Sequence, residues 1–310
     1  MITIKKQELI PPVLSTKGVT ENAKNCSLYE ATPMDYHTNK SKFDFSRRIY
    51  NHPSIKEILR EAQDIKCCFC EKLQHDLDGA IEHYRPKAGY KSIRKDKLKK
   101  PGYYWLGYVW DNLFFICKAC NGKKGTIFPL EDERKRVENH TKDISDERPL
   151  ILNPTGTGEK DPRKHIVFDN EFVRGVSDEG RATVEACKLD RAGLDIKRRV
   201  LINELFDRII LITNNLDNLD APDAKRAILY LKNSMKKESP FSAMAIDYIS
   251  KESPILITSE LQIPMGSCGY WSVLNNLRAA SHFPHLKITF SVFLRASEDT
   301  LNQRTKELMN

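Results

Sequence analysis

Apolar residues recur at helical spacing in two parts of the chain. In residues 43–65, Pro53 suits the first turn of a helix, and four later apolar residues share one face. These four are Ile55, Ile58, Leu59 and Ala62. From Glu185 onward a longer apolar face predicts a long helix, marked by Leu194, Leu201, Leu205, Ile209, Ile212 and Leu216. Residues 222–234 and 240–250 predict two more helices.

The remaining segments carry a weaker pattern. Residues 1–25 are polar, contain a Pro–Pro turn and predict an extended arm packed on the body. Residues 131–180 are charged and rich in turns, with short strands such as HIVF, and residues 286–294 predict one further strand. We therefore divide the chain into an N-terminal arm and helix, a core, a connecting segment, a helical domain and an unassigned end. Their bounds are residues 1–60, 61–135, 136–184, 185–255 and 256–310.

Composition narrows the class of protein. Hydrophobic residues make up 40% and charged residues 30%, which is ordinary for a soluble globular protein. The sequence has neither the run of about 18 apolar residues that a membrane span needs nor the apolar segment of a secretory signal. We expect a cytoplasmic protein with no membrane partner, in which the eight cysteines are thiols or metal ligands. The net charge of +8 is compatible with an anionic partner but does not establish one.

Four cysteines have the spacing of a structural metal site. Cys67 and Cys70 form one C-x2-C pair, and Cys117 and Cys120 form a second. Two such pairs offer four thiolates to one tetrahedral zinc ion. The intervening residues 71–116 are longer than the loop of a zinc ribbon, so we expect folded structure between the pairs. Cys68 has the wrong spacing to replace a ligand of either pair, and the isolated Cys26, Cys187 and Cys268 are interpreted as small core residues.

A basic segment from Arg85 to Lys100 admits two interpretations. It carries eight lysines and arginines against one acid, Asp96, and such a block is most often a solvated loop. Its position directly after Glu82 and His83 favours contact with nucleic acid.

The residues between and after the cysteine pairs point to a chemistry. Glu82 and His83 lie on a predicted strand, Asn112 precedes the second pair, and Asn121 follows it. This order resembles the HNH nucleases of the ββα-metal type. The resemblance implies two strands and a helix that hold a divalent ion, with zinc knuckles supporting the small motif.

Each residue type suits a step in phosphodiester hydrolysis. His83 would take a proton from water, because a neutral imidazole titrates near working pH. Asn112 would hold His83 in orientation, and Glu82 and Asn121 would offer oxygen ligands to Mg²⁺ or Mn²⁺. The family commonly has His where this chain has Asn121, so the resemblance implies an H-N-N variant. By proximity, four side chains are predicted to contact phosphate: Arg85, Lys87, Lys123 and Lys124.

A closer resemblance covers roughly residues 1–250. The segments CxxCE, IEHYRPK, YWLGYVWDNL, CNGKKGTIFPL, ERPLILNP and HIVF follow one another as in the HNH subunit family (PtuB) of Septu anti-phage systems, also found in certain retron loci. The resemblance implies a defence effector that acts with an ATPase of the ABC/SMC type (PtuA-like). The segment ERPLILNP has no evident chemical role, and we interpret it as structural.

We therefore expect an α+β protein. Its ββα-metal nuclease core would carry a four-cysteine zinc site, wrapped by an N-terminal arm and followed by a helical domain. The expected function is metal-dependent cleavage of DNA, or of RNA such as tRNA. Two alternatives remain open: a zinc-containing module that binds nucleic acid without catalysis, and a scaffold whose basic loop docks on an acidic partner.

Overall fold

The N-terminal segment is largely helical rather than extended. The computed structural model describes residues 1–74, 79–215 and 218–253. Residues 1–10 are irregular, but a π-helical turn at Leu14–Gly18 leads into helix α1, Val19–Ala31. Leu14 is buried against Tyr108 and other core residues, which fixes this turn on the body. The prediction of an extended arm over residues 1–25 is therefore wrong beyond residue 10, because the apolar residues there are too sparse to show a helical period.

Three helices lead to the core. They are α2, Pro33–His37; α3, Arg47–Tyr50; and α4, Pro53–Ala62. Helix α4 confirms the periodicity of residues 43–65. Pro53 occupies its first turn, the side chain of His52 accepts a hydrogen bond from the Ser54 amide, and Ile55 and Leu59 are fully buried.

Two antiparallel strands and a helix follow. Strand β1, Ala80–His83, pairs antiparallel with strand β2, Leu113–Ile116, so that His83 lies opposite Leu113. All four residues of β2 are buried. Helix α5, Lys118–Lys124, begins directly after β2, and the Cys117 side chain caps its first turn by accepting from the Cys120 amide.

The connecting segment contains a hairpin and two helices. Helix α6, Pro162–His165, leads into strand β3, Ile166–Asp169, which confirms the short strand predicted at HIVF. Strand β4, Phe172–Gly175, pairs antiparallel with β3. Helix α7, Asp178–Cys187, is capped by the Ser177 side chain.

The last described part is helical, as predicted. It consists of α8, Ala192–Thr213; α9, Pro222–Ser234; and α10, Ser242–Glu252. The buried face of α8 is formed by Leu194, Arg198, Ile202, Leu205, Ile209 and Ile212. Leu201 is only half-buried, so the predicted face is shifted by one residue at this point. Leu216 and the predicted strand at 286–294 lie outside the described residues.

Residues Met1–Ser253 form one compact unit. Among the described residues, no helix combines the length and the apolar character needed to cross a bilayer.

Candidate metal centre and active site

The four predicted cysteines meet at one point. Their sulfur atoms all lie within 4.8 Å of one another, and the four residues are buried. Cys70 Sγ and Cys117 Sγ are 3.8 Å apart, which is about the separation that a tetrahedral ion with 2.3 Å bonds to sulfur imposes. The donor set and its spacing fit a metal ion such as zinc. In the described part of the chain, no other group of three or more Cys, His, Asp or Glu side chains has metal-binding geometry.

Burial and hydrogen bonds shift the pKa values of the cysteine thiols, and one arginine lies beside the cluster. Hydrogen bonds from Cys120 and the other two thiols hold the pKa of Cys117 far below its usual range, whereas burial raises the pKa of Cys67 well above it. Nη2 of Arg191 lies 3.4 Å from Cys120 Sγ. Because four thiolates exceed the charge of a divalent ion, a cation at this distance stabilises the loaded site.

Gln63 joins the first cysteine pair to the core strands. Its side-chain amide donates to the carbonyls of Lys66, at 3.0 Å, and Phe115, at 2.7 Å. Its side-chain oxygen accepts from the Phe115 amide at 2.9 Å. Since Phe115 belongs to β2, the metal cluster and the β1–β2 pair are held in one arrangement.

A cavity of about 300 Å³ opens beside these strands. Four predicted site residues line it together: Glu82 and His83 from β1, Lys87 after that strand, and Asn121 from α5. Two residues of α3, Arg47 and Tyr50, also line it. The sequence order Glu–His, then Asn, thus brings the polar side chains of two elements to one cavity.

The His83 ring is held in one tautomer. Its Nε2 lies 2.9 Å from the Gly107 carbonyl oxygen, which can only accept, so Nε2 carries the proton and Nδ1 carries the lone pair. Lys87 Nζ donates to that Nδ1 at 3.3 Å, and the Tyr50 ring meets His83 edge-on with centroids 4.9 Å apart. Burial, followed by the charge of Lys87, holds the pKa of His83 well below its usual range. The imidazole is therefore neutral at pH 7, with its lone pair at Nδ1.

Asn112 is not among the residues that line the cavity, and it fixes the backbone next to His83. Its Oδ1 accepts from the Arg85 amide at 2.7 Å, and its Nδ2 donates to the carbonyls of Arg85 and Leu106, each at 3.0 Å. Arg85 follows His83 by two residues, and Leu106 precedes Gly107. Asn112 thus clamps the two backbone segments that determine where the His83 ring lies.

Glu82 is held by an internal cation. Lys124 Nζ donates to Glu82 Oε1 at 2.5 Å, and the Lys124 side chain is 0% exposed. Burial raises the pKa of Glu82, and the neighbouring Lys124 opposes that effect. A side chain so enclosed does not reach a phosphate on the surface, so the predicted phosphate contact of Lys124 is revised to an internal ion pair.

The Arg85 side chain is also held by contacts inside the protein. Its guanidinium is paired with the buried carboxylate of Glu147 and lies 5.0 Å from the ring centroid of Tyr103. Glu147 also accepts from the Tyr103 hydroxyl at 3.0 Å and from the Val137 amide at 2.6 Å. These contacts give Arg85 and the ERPLILNP segment internal roles, so Arg85 is not placed for a phosphate contact. Lys123 is exposed and Lys87 lines the cavity.

Two known proteins are similar in sequence to this chain. Over 196 residues, 61% of this chain, the sequence is 32% identical to the Septu protein PtuB of Bacillus mycoides (strain KBAB4). The chain is a homologue of the Septu PtuB proteins. A second PtuB, from Bacillus thuringiensis, is 25% identical over 236 residues, which cover 72% of this chain and 78% of that protein. The first alignment spans 64% of its PtuB, just under two thirds of that protein's length. No family model and no solved structure matches.

Two features of this PtuB homologue could not be found from residue spacing. Arg47 lines the cavity, but no feature of its surrounding sequence, FDFSRRIYNHP, predicts this position. Gly107 contributes a backbone carbonyl, and its orientation depends on a turn that no side chain pattern specifies. The cysteine pairs were predicted from their spacing, and Glu82 and His83 from the residue order that resembles HNH nucleases.

Proposed function

We propose that the chain is an HNH-type endonuclease that hydrolyses phosphodiester bonds, with DNA as the favoured substrate. The observation that carries this proposal is His83, a buried neutral imidazole with one fixed tautomer and its proton-accepting nitrogen beside Lys87 in the cavity. The strand–strand–helix order around it supports the same reaction class.

The residues of the chain account for proton transfer and phosphate binding. A phosphodiester in the cavity would draw the Lys87 ammonium group toward its oxygens, which uncovers Nδ1 of His83. His83 then takes a proton from the attacking water, while the Gly107 carbonyl stabilises the imidazolium through Nε2–H. Arg47, on the cavity wall, would hold a second phosphate oxygen.

Two metal ions belong to the proposal. The four cysteines fit a structural zinc ion, which would link the β1–β2 pair to α5. An Mg²⁺ or Mn²⁺ ion held by Glu82 and Asn121 would polarise the scissile phosphate. Oxygen donors suit such an ion, but Lys124 already binds Oε1 of Glu82, so the site does not fit the ion in this arrangement and we derive no step through it.

The biological role rests on homology. Similarity to PtuB proteins supports a role in anti-phage defence. We extend this to an effector that acts with an ATPase of the ABC/SMC type, a partnership implied by the family resemblance alone.

Replacement of His83 tests the reaction. Plasmid DNA and total tRNA are incubated with the purified protein and Mg²⁺ or Mn²⁺. His83→Ala should lower cleavage by about 10²–10⁴-fold, while zinc content, melting temperature and DNA affinity stay close to wild type. His52→Asn is the matched control, because His52 is exposed and Asn can also cap α4. Cleavage by His83→Ala at the wild-type rate would remove the proposal.

A zinc-containing module that binds nucleic acid without cutting it is the second candidate. The buried Glu82–Lys124 pair favours it, because the carboxylate expected to hold the catalytic ion already has a cation. This candidate predicts salt-dependent binding of DNA with no cleavage by wild type under any of the metal conditions above.

A further inference from the structure

Lys124 occupies a cage of oxygen atoms at the end of β1. Its ammonium group carries three protons and has three acceptors: Oε1 of Glu82 at 2.5 Å and the carbonyls of His83 and Tyr84, each at 3.3 Å. All three acceptors belong to consecutive residues, and the cage excludes solvent from the lysine. A carboxylate oxygen with two carbonyl oxygens is also a donor set that a hard metal cation prefers.

The charge around this cage disfavours a second cation. Lys87 and Arg47 line the same cavity as Glu82, and burial together with the charge of Arg47 lowers the pKa of Lys87. Two further basic side chains therefore line the cavity together with Glu82, whose carboxylate Lys124 already neutralises. A divalent ion that entered beside Glu82 would meet repulsion from all three.

We propose that Lys124 holds the cation position at Glu82 in the free protein, and that a divalent ion gains this carboxylate only by displacing the Lys124 ammonium group. The inference rests on the proposed function only in the identity of the ion, Mg²⁺ or Mn²⁺. On this proposal the divalent site at Glu82 forms only when Lys124 leaves, whereas the four cysteines already lie together.

The end of α5 gives the lysine a route out of the cage. Lys124 is the last residue of the helix, and Gly125 follows it with φ of +49°. Gly125 is exposed and lines the cavity, and a Cβ added there would meet nothing within 4 Å. A glycine at a helix end changes its backbone dihedral angles more easily than other residues, so the last turn of α5 can rearrange when Lys124 leaves the cage.

Binding of Mn²⁺ to the zinc-loaded full chain, followed by electron paramagnetic resonance, tests the competition. Lys124→Met keeps the length of the side chain and removes the charge, so we expect Mn²⁺ to bind about tenfold tighter or more than to wild type. Adding Glu82→Gln to that variant should abolish the gain. Lys123→Met, the exposed neighbour, should bind Mn²⁺ as wild type does. Unchanged or weaker binding by Lys124→Met would overturn the proposal and make Lys124 a positioning residue.

Lysine labelling tests the same displacement in the wild-type protein, where no variant has to fold. Reductive methylation followed by mass spectrometry should leave Lys124 protected without divalent ions and label it in saturating Mn²⁺, with Lys123 labelled in both conditions. Protection of Lys124 that persists in saturating Mn²⁺ would overturn the proposal. Neither readout uses cleavage, so a protein that releases Lys124 but cuts no nucleic acid would contradict the proposed function and leave this inference standing.

Discussion

Gly107 holds the His83 ring from behind, and its surroundings explain why the position is a glycine. A Cβ added there would lie 2.7 Å from Cε1 of Phe45, closer than side-chain atoms approach. Gly107→Ala should therefore displace the carbonyl that fixes Nε2 of His83 and lower cleavage by about 10- to 100-fold, because small misplacements of a catalytic group are costly. Zinc content and DNA affinity should not change.

Gly122→Ala is the matched control for Gly107→Ala. Gly122 lies in α5, and a Cβ added there would meet nothing within 4 Å. The substitution should leave cleavage unchanged and stabilise the helix by about 0.5–1 kcal/mol. Equal loss of cleavage in both variants would show that the Gly107 carbonyl has no special role.

Lys87 should make phosphate binding dependent on pH. Burial lowers the pKa of Lys87 to about 8, the charge of Glu82 opposes this shift, and the charge of Arg47 adds to it. The side chain is charged below that pH and neutral above it, so its attraction for phosphate should fade as the pH rises through about 8. DNA affinity measured between pH 7 and 9 should fall for wild type and stay flatter for Lys87→Arg, since arginine remains charged. Parallel curves for the two proteins would count against Lys87 as a phosphate contact.

At the scale of single residues, spacing identified side chains but not their partners. The two C-x2-C pairs, Glu82 and His83 were named from order and residue type, and the four cysteines do converge. The internal commitment of Lys124 could not be predicted, because a lysine beside other lysines gives no sign of burial. The position of a backbone acceptor such as the Gly107 carbonyl cannot be predicted from the pattern of side chains.

Among the elements, the cysteine pairs tie the core strands to α5. Elemental analysis should find about one zinc per chain, and Cys67→Ser with Cys70→Ser should lose it together with cooperative folding, because structural zinc contributes folding free energy directly. Cys26→Ser is the control: Cys26 is a half-buried cysteine outside the cluster, and this variant should keep its zinc. Stoichiometric zinc in the double variant would contradict a shared four-thiolate site.

The success of the element predictions follows the strength of the apolar pattern. Helices α4 and α9 were anticipated because their buried residues repeat at the helical period, and α9 has the bounds predicted for it, residues 222–234. Helix α1 buries only Asn25 and Tyr29, a pattern too sparse to reveal a helix. Its position is set by tertiary contacts, including the stacking of Tyr29 on Tyr104 with ring centroids 4.9 Å apart.

On the scale of the whole molecule, Glu71 connects the first cysteine pair to the last described helix. Its carboxylate accepts from the Ser242 hydroxyl and the Ala243 amide, each at 3.1 Å, and so caps α10 from a distant part of the chain. Burial by itself would raise the pKa of Glu71, but the amino terminus and Lys66 lower it to about 2, so the carboxylate is charged at pH 7.

Removal of that carboxylate should destabilise the protein as a whole. Glu71→Ala should lower the free energy of unfolding by about 3–5 kcal/mol at pH 7, because it leaves buried cations and helix amides without their acceptor. Urea denaturation measures this change. Glu131→Ala provides the comparison: its exposed pair with Arg148 should contribute about 0–1 kcal/mol. A similarly small effect for both would mean that α10 does not depend on the Glu71 cap.

The basic segment should supply affinity without catalysis. Lys95, Lys97 and Lys99 are exposed, and Arg94 anchors their segment to the body through the carbonyl of Lys123, at 2.8 Å. Replacing the three lysines with glutamine should weaken DNA binding and flatten its dependence on salt, by about 0.9 in the log–log slope for each phosphate that the protein no longer neutralises. Cleavage at saturating DNA should stay at the wild-type rate, because His83 and its partners are untouched.

The control removes the same three charges from the helical part, at Lys225, Arg226 and Lys236, which do not line the cavity. If both triple variants show the same fall in affinity, net charge alone accounts for binding, and the segment after His83 is only a solvated loop.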